Sequence, residues 1–330
     1  MPPITHPHTK KSLMKKQTNT TRCALCGRYA AALALIMEMV FASEQCQEKE
    51  FIFPEILALA VGFWVAPRPF WHASRLNIFL APTMAAVCGV LLMRYSHLPL
   101  AAMIVVAYIA VALLLVATRS RLAPAISAAI LPLLIGTTSW NYPLAVGVLT
   151  GIVALGSIVA QPSSGETPSE EAPFSQRDEL IFWGKILPVV AVYAVMITLC
   201  DVRFMMAPPL IVMFSEAVRP NNPLARQPFK PFFLVALAAS CGVLALFFLK
   251  GMLLLPGWLC AALASCAVFA GYEATGMRLP PAAALGLLPL LVSPERLAGY
   301  AWQVPAGAAL FLVIACLIFR PNAAASKKGV

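Results

Sequence analysis

Two stretches of this sequence share one arginine and two prolines in the same register. Residues 121–134 align with residues 278–291 without a gap, and eight of the fourteen positions are identical. The identical pairs are Arg121/Arg278, Leu122/Leu279, Pro124/Pro281, Ala125/Ala282, Leu131/Leu288, Pro132/Pro289, Leu133/Leu290 and Leu134/Leu291. Matched leucines are common in so apolar a chain, whereas the matched arginine and prolines indicate an internal duplication.

The inner prolines of these stretches have a consequence for a helix in a membrane. A proline removes one backbone hydrogen bond and frees a carbonyl about one turn earlier. In hydrocarbon this is tolerated only where protein or water satisfies the freed group. Pro132 and Pro289 therefore predict kinked helices that face the bundle interior or a cavity and line a solute site, together with Arg121, Arg278 and Pro281. A purely structural kink is the alternative.

A run of hydroxyl residues follows the first of these prolines. In Gly136-Thr-Thr-Ser-Trp140, the hydroxyls of Thr137 and Thr138 and the exposed backbone amides could hold a small anion at membrane depth. The alternative is an outer turn with Trp140 in the aromatic belt of the membrane. Further along, Trp140-Asn-Tyr-Pro143 corresponds to Trp302-Gln-Val-Pro305 after a five-residue insertion.

Four carboxylates lie in or beside apolar runs, where charged groups are costly and therefore indicate function. Glu38 is predicted to lie deepest and is included in the solute site. Asp201 with Arg203 is predicted to be an interfacial pair. Glu216, three residues before Arg219, and Glu273 are predicted to be solvated.

Other chemistry finds little support in the sequence. Cys23-x-x-Cys26 has no second pair of ligands for zinc, the four histidines suggest no metal site, and the nine cysteines are scattered. The sequence contains no P-loop, HExxH or GxSxG motif. We therefore expect no enzyme activity, no metal and no cofactor.

The composition indicates an integral membrane protein. Of 330 residues, 60% are hydrophobic and only 12% are charged, against about 25% charged residues in soluble domains. The net charge of +10 comes from basic residues in tails and short loops, which indicates membrane topology rather than nucleic-acid binding. The predicted partners are the lipid bilayer and a small solute, and the sequence is compatible with a homo-oligomer.

Twelve apolar segments predict an all-α polytopic bundle of two tandem parallel repeats with about six segments each. The repeats would cover residues 24–160 and 179–320. A disordered cytoplasmic tail (1–23), a polar linker (161–178) and a second cytoplasmic tail (321–330) complete the chain. The segments are 29–43, 52–66, 77–93, 98–117, 122–139, 142–160, 179–200, 205–218, 232–249, 252–272, 279–293 and 300–319.

The charges and segment lengths refine this topology. With the N-terminal tail in the cytoplasm, 19 of the 24 lysines and arginines fall inside, which predicts a bacterial cytoplasmic membrane protein with both termini inside. Segments 52–66, 205–218 and 279–293 are short, carry prolines near their starts and are predicted to be broken or re-entrant. Segment 29–43 is predicted to span the membrane, with a cleaved signal peptide as the alternative.

The second half resembles the HPP family of integral membrane proteins over residues 203–292. The motifs are Pro208-Pro209-Leu210, Asn222-Pro-Leu-Ala-Arg-Gln-Pro228, Ser240-Cys-Gly-Val243 and Arg278-Leu-Pro-Pro-Ala-Ala-Ala-Leu285. Leu279 stands where the family has its histidine. Some members look like nitrite transporters, so the resemblance implies a small inorganic anion as solute.

These observations predict a transporter or permease for a small solute that works without ATP hydrolysis. Its site would lie between the two repeats. The alternative is a membrane scaffold or assembly protein that transports nothing.

Overall fold

The computed structural model describes residues 7–160, 174–219 and 222–319. Within these ranges the chain is helical and contains no β-strand, so the predicted all-α membrane bundle is confirmed. The predicted tail 321–330 and most of the predicted linker 161–178 lie outside the described residues. Helix α1 begins at Pro7, so the stretch predicted to be a disordered tail is helical from that residue onward.

Eight helices in the described ranges are long and apolar enough to cross a membrane, which makes this a multi-pass membrane protein. The first apolar run belongs to one of them, with a candidate span at Ala24–Cys46. Counting every helix in chain order, the long ones are α1 (Pro7–Cys46), α3 (Arg75–Tyr95), α4 (Leu100–Ala117), α6 (Asn141–Ala160), α7 (Gln176–Leu199), α10 (Phe229–Leu244, continued by a π-helix to Met252), α11 (Gly257–Thr275) and α13 (Leu297–Ile318).

Four short helices interrupt this series, and a single turn, α9 (Pro223–Arg226), lies in one connection. At 1.5 Å per residue a twelve-residue helix covers about 18 Å, well short of the roughly 30 Å hydrocarbon core. The prediction of broken segments is therefore confirmed, and the fifth segment is short as well. The short helices are α2 (Glu55–Ala60, continued by a π-helix to Val65), α5 (Pro124–Ile135), α8 (Pro208–Val218) and α12 (Pro280–Leu287, continued by a 3₁₀ turn to Leu291).

Proline marks the start of every short helix. Pro124, Pro208 and Pro280 occupy the first helical turn, and Pro54 precedes α2. At this position proline loses no hydrogen bond, because the first amides of a helix have no intrahelical acceptor. The same residue type thus defines where each broken helix begins.

The short helices form the centre of the bundle. α2 packs against α12, and α5 packs against α8. Nearly every residue of the four is buried, as expected for short helices that are almost entirely apolar. The long helices surround them, and α1 packs on α11 as α4 packs on α7. Both halves follow the order long, short, long, long, short, long.

Hydrogen bonds define two ends of the bundle. At one end, the Arg28 guanidinium at the start of the first span donates to the Ala160 carbonyl at the end of α6, 2.9 Å away. We call this the arginine end, because Arg121, Arg219 and Arg278 also lie there. At the opposite, distal end, the Lys250 ammonium lies 3.0 Å from Glu44 and the Thr137 hydroxyl lies 3.2 Å from Glu50.

Candidate functional site

The carbonyls freed by the two inner prolines are satisfied by tyrosines. The Tyr142 hydroxyl on α6 donates to the carbonyl of Ala128, four residues before Pro132, at 3.0 Å. The Tyr300 hydroxyl on α13 donates to the carbonyl of Leu285, four residues before Pro289, at 2.6 Å. Both tyrosines are fully buried. The freed carbonyls are therefore held by protein.

These tyrosines correct the predicted match between the two halves. Tyr142 and Tyr300 make equivalent contacts, whereas Trp140 precedes α6 and Trp302 lies inside α13. The tyrosines, rather than the tryptophans, occupy equivalent places. In the sequence, Tyr142 follows Pro132 by ten residues and Tyr300 follows Pro289 by eleven. Matching Trp140 with Trp302 hid this similar spacing.

We expect Tyr142→Phe and Tyr300→Phe each to lower the free energy of unfolding by about 1 kcal/mol, because a buried carbonyl loses its donor. Thermal unfolding of the detergent-solubilised protein would measure the effect. Tyr95→Phe is the matched control, since Tyr95 is exposed at the end of α3. Equal effects at all three positions would contradict the role of the two buried hydroxyls.

Two glycines bring the proline-containing helices close to their neighbours. The Cα of Gly89 on α3 faces the backbone of Ala129, and that of Gly242 on α10 faces the backbone of Gly286. Each glycine lies in an Ala-Ala-x-Cys-Gly-Val-Leu sequence, where x is valine in the first half and serine in the second. This second internal match, residues 85–91 with 238–244, was not recognised from the sequence.

A cavity of about 420 Å³ opens at the distal end. It lies between the last turns of α5 and α12 and the start of α8, where the two halves meet. Two arginines and one glutamate are among the side chains that line it. The lining residues are Leu131, Leu134, Ile135, Arg203, Phe204, Pro208, Leu288, Leu291, Val292, Ser293, Glu295 and Arg296.

Matching faces of α5 and α12 form two walls of this cavity. On α5 the lining residues Leu131 and Leu134 continue inward, at helical spacing, to Ser127. On α12 the lining residues Leu288 and Leu291 continue inward to Ala284. Ser127 therefore lies one turn deeper than the innermost lining residue of its helix.

Beside Ser127 lies a carboxylic acid that the sequence analysis missed. Glu55, in the first turn of α2, is 1% exposed, and the Ser127 hydroxyl lies beside its carboxyl group. Among the described residues, neither carboxyl oxygen of Glu55 nor the Ser127 hydroxyl has a hydrogen-bond partner. A signal was present in the sequence, because Glu55 is the one charged residue in segment 52–66.

A buried ion cluster lies at the arginine end. Glu179 on α7 forms ion pairs with Arg121, just before α5, and with Arg219, just after α8. The Arg219 pair is bidentate, with nitrogen–oxygen distances of 3.1 and 3.2 Å. The Glu179 side chain is 5% exposed. The cluster thus joins the two halves where α5 begins and α8 ends.

Aromatic rings and a second carboxylate extend this cluster. The Arg219 guanidinium lies 4.3 Å from the Phe182 ring centroid. Glu216 accepts a hydrogen bond from the Trp71 indole at 3.2 Å and lies 3.9 Å from Arg219. Glu216 is buried, so the prediction that it is solvated is wrong. The cause is tertiary, because Trp71 and α7 cover this end of α8.

The predicted site residues are dispersed in the structure. Pro132, Pro289 and Pro281 are buried, but the cavity is lined by neighbouring leucines of the same helices instead. Pro289 points towards Gly242 on α10. Thr138 is exposed.

The charged members of the predicted site are also apart. Arg121 belongs to the ion cluster. Arg278 donates hydrogen bonds to Tyr29 and Glu273 at another place of the arginine end. Glu38 is exposed on the outer surface of α1, unlike the deeply buried Glu55. The predicted interfacial pair Asp201–Arg203 is confirmed, at 3.4 Å.

The residues that could hold a metal are also few. Within the described ranges, no three histidine, cysteine or acidic side chains are grouped as metal ligands.

No protein-family model, curated protein or solved structure matches this chain.

Proposed function

We propose that this protein is a transporter or permease that moves a small solute between its two halves without ATP hydrolysis. The observation that carries the proposal is the distal cavity, which lies between two broken helices and ends one turn from a buried carboxyl group. Interrupted helices in a membrane are tolerated where they are buried or line a cavity, and in transporters they commonly form the solute site.

The two halves are proposed to be parallel repeats related by a twofold axis along the membrane normal. In support, equivalent pairs pack alike, such as α2 on α12 and α8 on α5. Tyr142 and Tyr300 make equivalent hydrogen bonds. The arginine end is proposed to face the cytoplasm of a bacterium, following the distribution of basic residues.

A small anion is the proposed solute. Arg203 and Arg296 line the cavity beside one carboxylate, Glu295. Arg203 also pairs with the exposed Asp201 at 3.4 Å, but guanidinium groups at the mouth can still bind a small anion by charge-assisted hydrogen bonds. The volume of about 420 Å³ suits a small molecule. The resemblance of residues 203–292 to the HPP family points to the same class of solute.

The ion cluster at the arginine end suggests how access alternates in this proposal. With the distal end open, Glu179 holds Arg121 and Arg219 together. Opening the other end would separate the start of α5 from the end of α8 and break these ion pairs. A solute that binds more tightly to the state open at the arginine end than to the state open at the distal end would supply the free energy for breaking them.

The test is uptake of nitrite and formate by proteoliposomes. We expect saturable uptake that Leu131→Trp and Leu288→Trp each reduce more than about tenfold, because an indole in either cavity wall obstructs the path. Leu113→Trp and Leu263→Trp are matched controls, since both leucines are exposed on the outer surface of long helices. Unobstructed uptake by the cavity variants would reject this path, and no uptake by the wild type would favour a scaffold.

A further inference from the structure

We propose that Glu55 is a proton-binding site in the membrane interior and that it couples solute movement to protons. This inference rests on the proposed transport function and names its coupling ion. The observations that carry it are the burial of Glu55, the absence of a partner among the described residues, and the position of the distal cavity.

No cationic side chain of α5, α6 or α12 lies beside Glu55 to compensate a negative charge. The packed helices α5 and α12 carry no charged or titratable residue, and α6 contributes only Tyr142. Tyr300 of α13 is the other titratable group near Glu55, and both tyrosine hydroxyls already donate to backbone carbonyls. On α1, Glu38 is exposed and Glu44 is paired with Lys250.

A carboxylate cannot remain ionised at low cost in such a place. Burying an unpaired charge is so unfavourable that the group takes up a proton instead. The carboxyl group is therefore neutral in this arrangement. Its O–H can then donate to the adjacent Ser127 hydroxyl after a small rotation of either side chain.

The distal cavity supplies a route for the proton. Leu131 and Leu288, the innermost lining residues of α5 and α12, separate the cavity from the level of Ser127. A shift of these two side chains would let water reach the carboxyl group. The proton would enter from distal water, neutralise Glu55, and leave to water at the arginine end when that end opens.

The second half lacks an equivalent group. In the register of the repeats, Pro209 corresponds to Glu55 and Ala284 corresponds to Ser127. Each chain would therefore carry one proton site rather than two. One carboxyl group per chain predicts at most one coupled proton in each cycle.

Infrared difference spectroscopy of the full chain in liposomes tests the proton site without reference to a solute. At neutral pH, we expect Glu55→Gln to remove one protonated-carboxyl band that exchanges in D₂O. Glu273→Gln is the control and should remove none, because that side chain is 57% exposed. Loss of a carboxylate band in Glu55→Gln, instead of a carboxyl band, would overturn the proposal.

Proteoliposome uptake tests the coupling. We expect an inward proton gradient to accelerate nitrite or formate uptake by the wild type several-fold, and Glu55→Gln to abolish the acceleration while still binding the solute. Acceleration by a sodium gradient alone, or indifference to both gradients, would overturn the coupling. No uptake together with an intact carboxyl band would count against the proposed function and not against the proton site. Glu55→Asp, which keeps the acid, should restore part of the acceleration and controls for folding.

Discussion

Glu179→Ala is expected to lower the free energy of unfolding by about 3–5 kcal/mol, because it leaves two arginines without their shared carboxylate. Arg121 and Arg219 are only 17% and 16% exposed in their side chains. Neither can turn fully into water without leaving its helix end. Thermal unfolding of the detergent-solubilised protein would report the loss as a lower Tm.

A matched control lies at the same end of the bundle. Glu273 pairs with Arg278 at 3.4 Å, but its side chain is 57% exposed. We expect Glu273→Ala to cost no more than about 1 kcal/mol, as is usual for surface ion pairs. If the two substitutions had equal effects, the Glu179 cluster would not be the strong connection between the halves that its burial indicates.

The second large loss of stability is expected when a methyl group is added to Gly89 or Gly242, the glycines at the two close helix contacts. A Cβ on Gly89 would fall on the carbonyl oxygen of Ala129, and one on Gly242 would fall on that of Gly286. Overpacking of this kind costs about 1–3 kcal/mol per site, and a backbone neighbour cannot move aside as a flexible side chain can. We expect Gly89→Ala and Gly242→Ala each to lower the yield of monodisperse protein and its Tm.

Gly184→Ala is the matched control, because the same substitution is expected not to lower stability there. Gly184 lies in α7 with open space where the Cβ would be. Alanine is favoured over glycine inside a helix by up to about 1 kcal/mol, so this variant should be as stable as the wild type or more stable. A loss of Tm in Gly184→Ala similar to that in Gly89→Ala would contradict the packing explanation.

The sequence by itself determined the class of protein and the order of its elements. Long runs without charge cannot remain in water, and prolines at the starts of short runs indicate where helices begin. The predicted segments 98–117 and 142–160 therefore match α4 and α6 closely. The same reasoning identified the broken helices, because their length is a property of the chain.

Only the tertiary structure decided which polar groups are buried. Glu38 and Glu55 both lie in apolar segments, yet one is on the outer surface and the other is in the centre. Helices that are apolar on all sides give no periodic signal of which face turns inward. Burial then depends on neighbours, as it does for Glu216 beneath Trp71.

The inner prolines show both contributions at one place. From the sequence alone, Pro132 and Pro289 predicted carbonyls without an intrahelical donor. Sequence spacing could not show what satisfies them, because Tyr142 and Tyr300 belong to the following helices and reach the carbonyls only when these pack. Local chemistry determined that a donor was needed, and long-range packing decided which side chain supplies it.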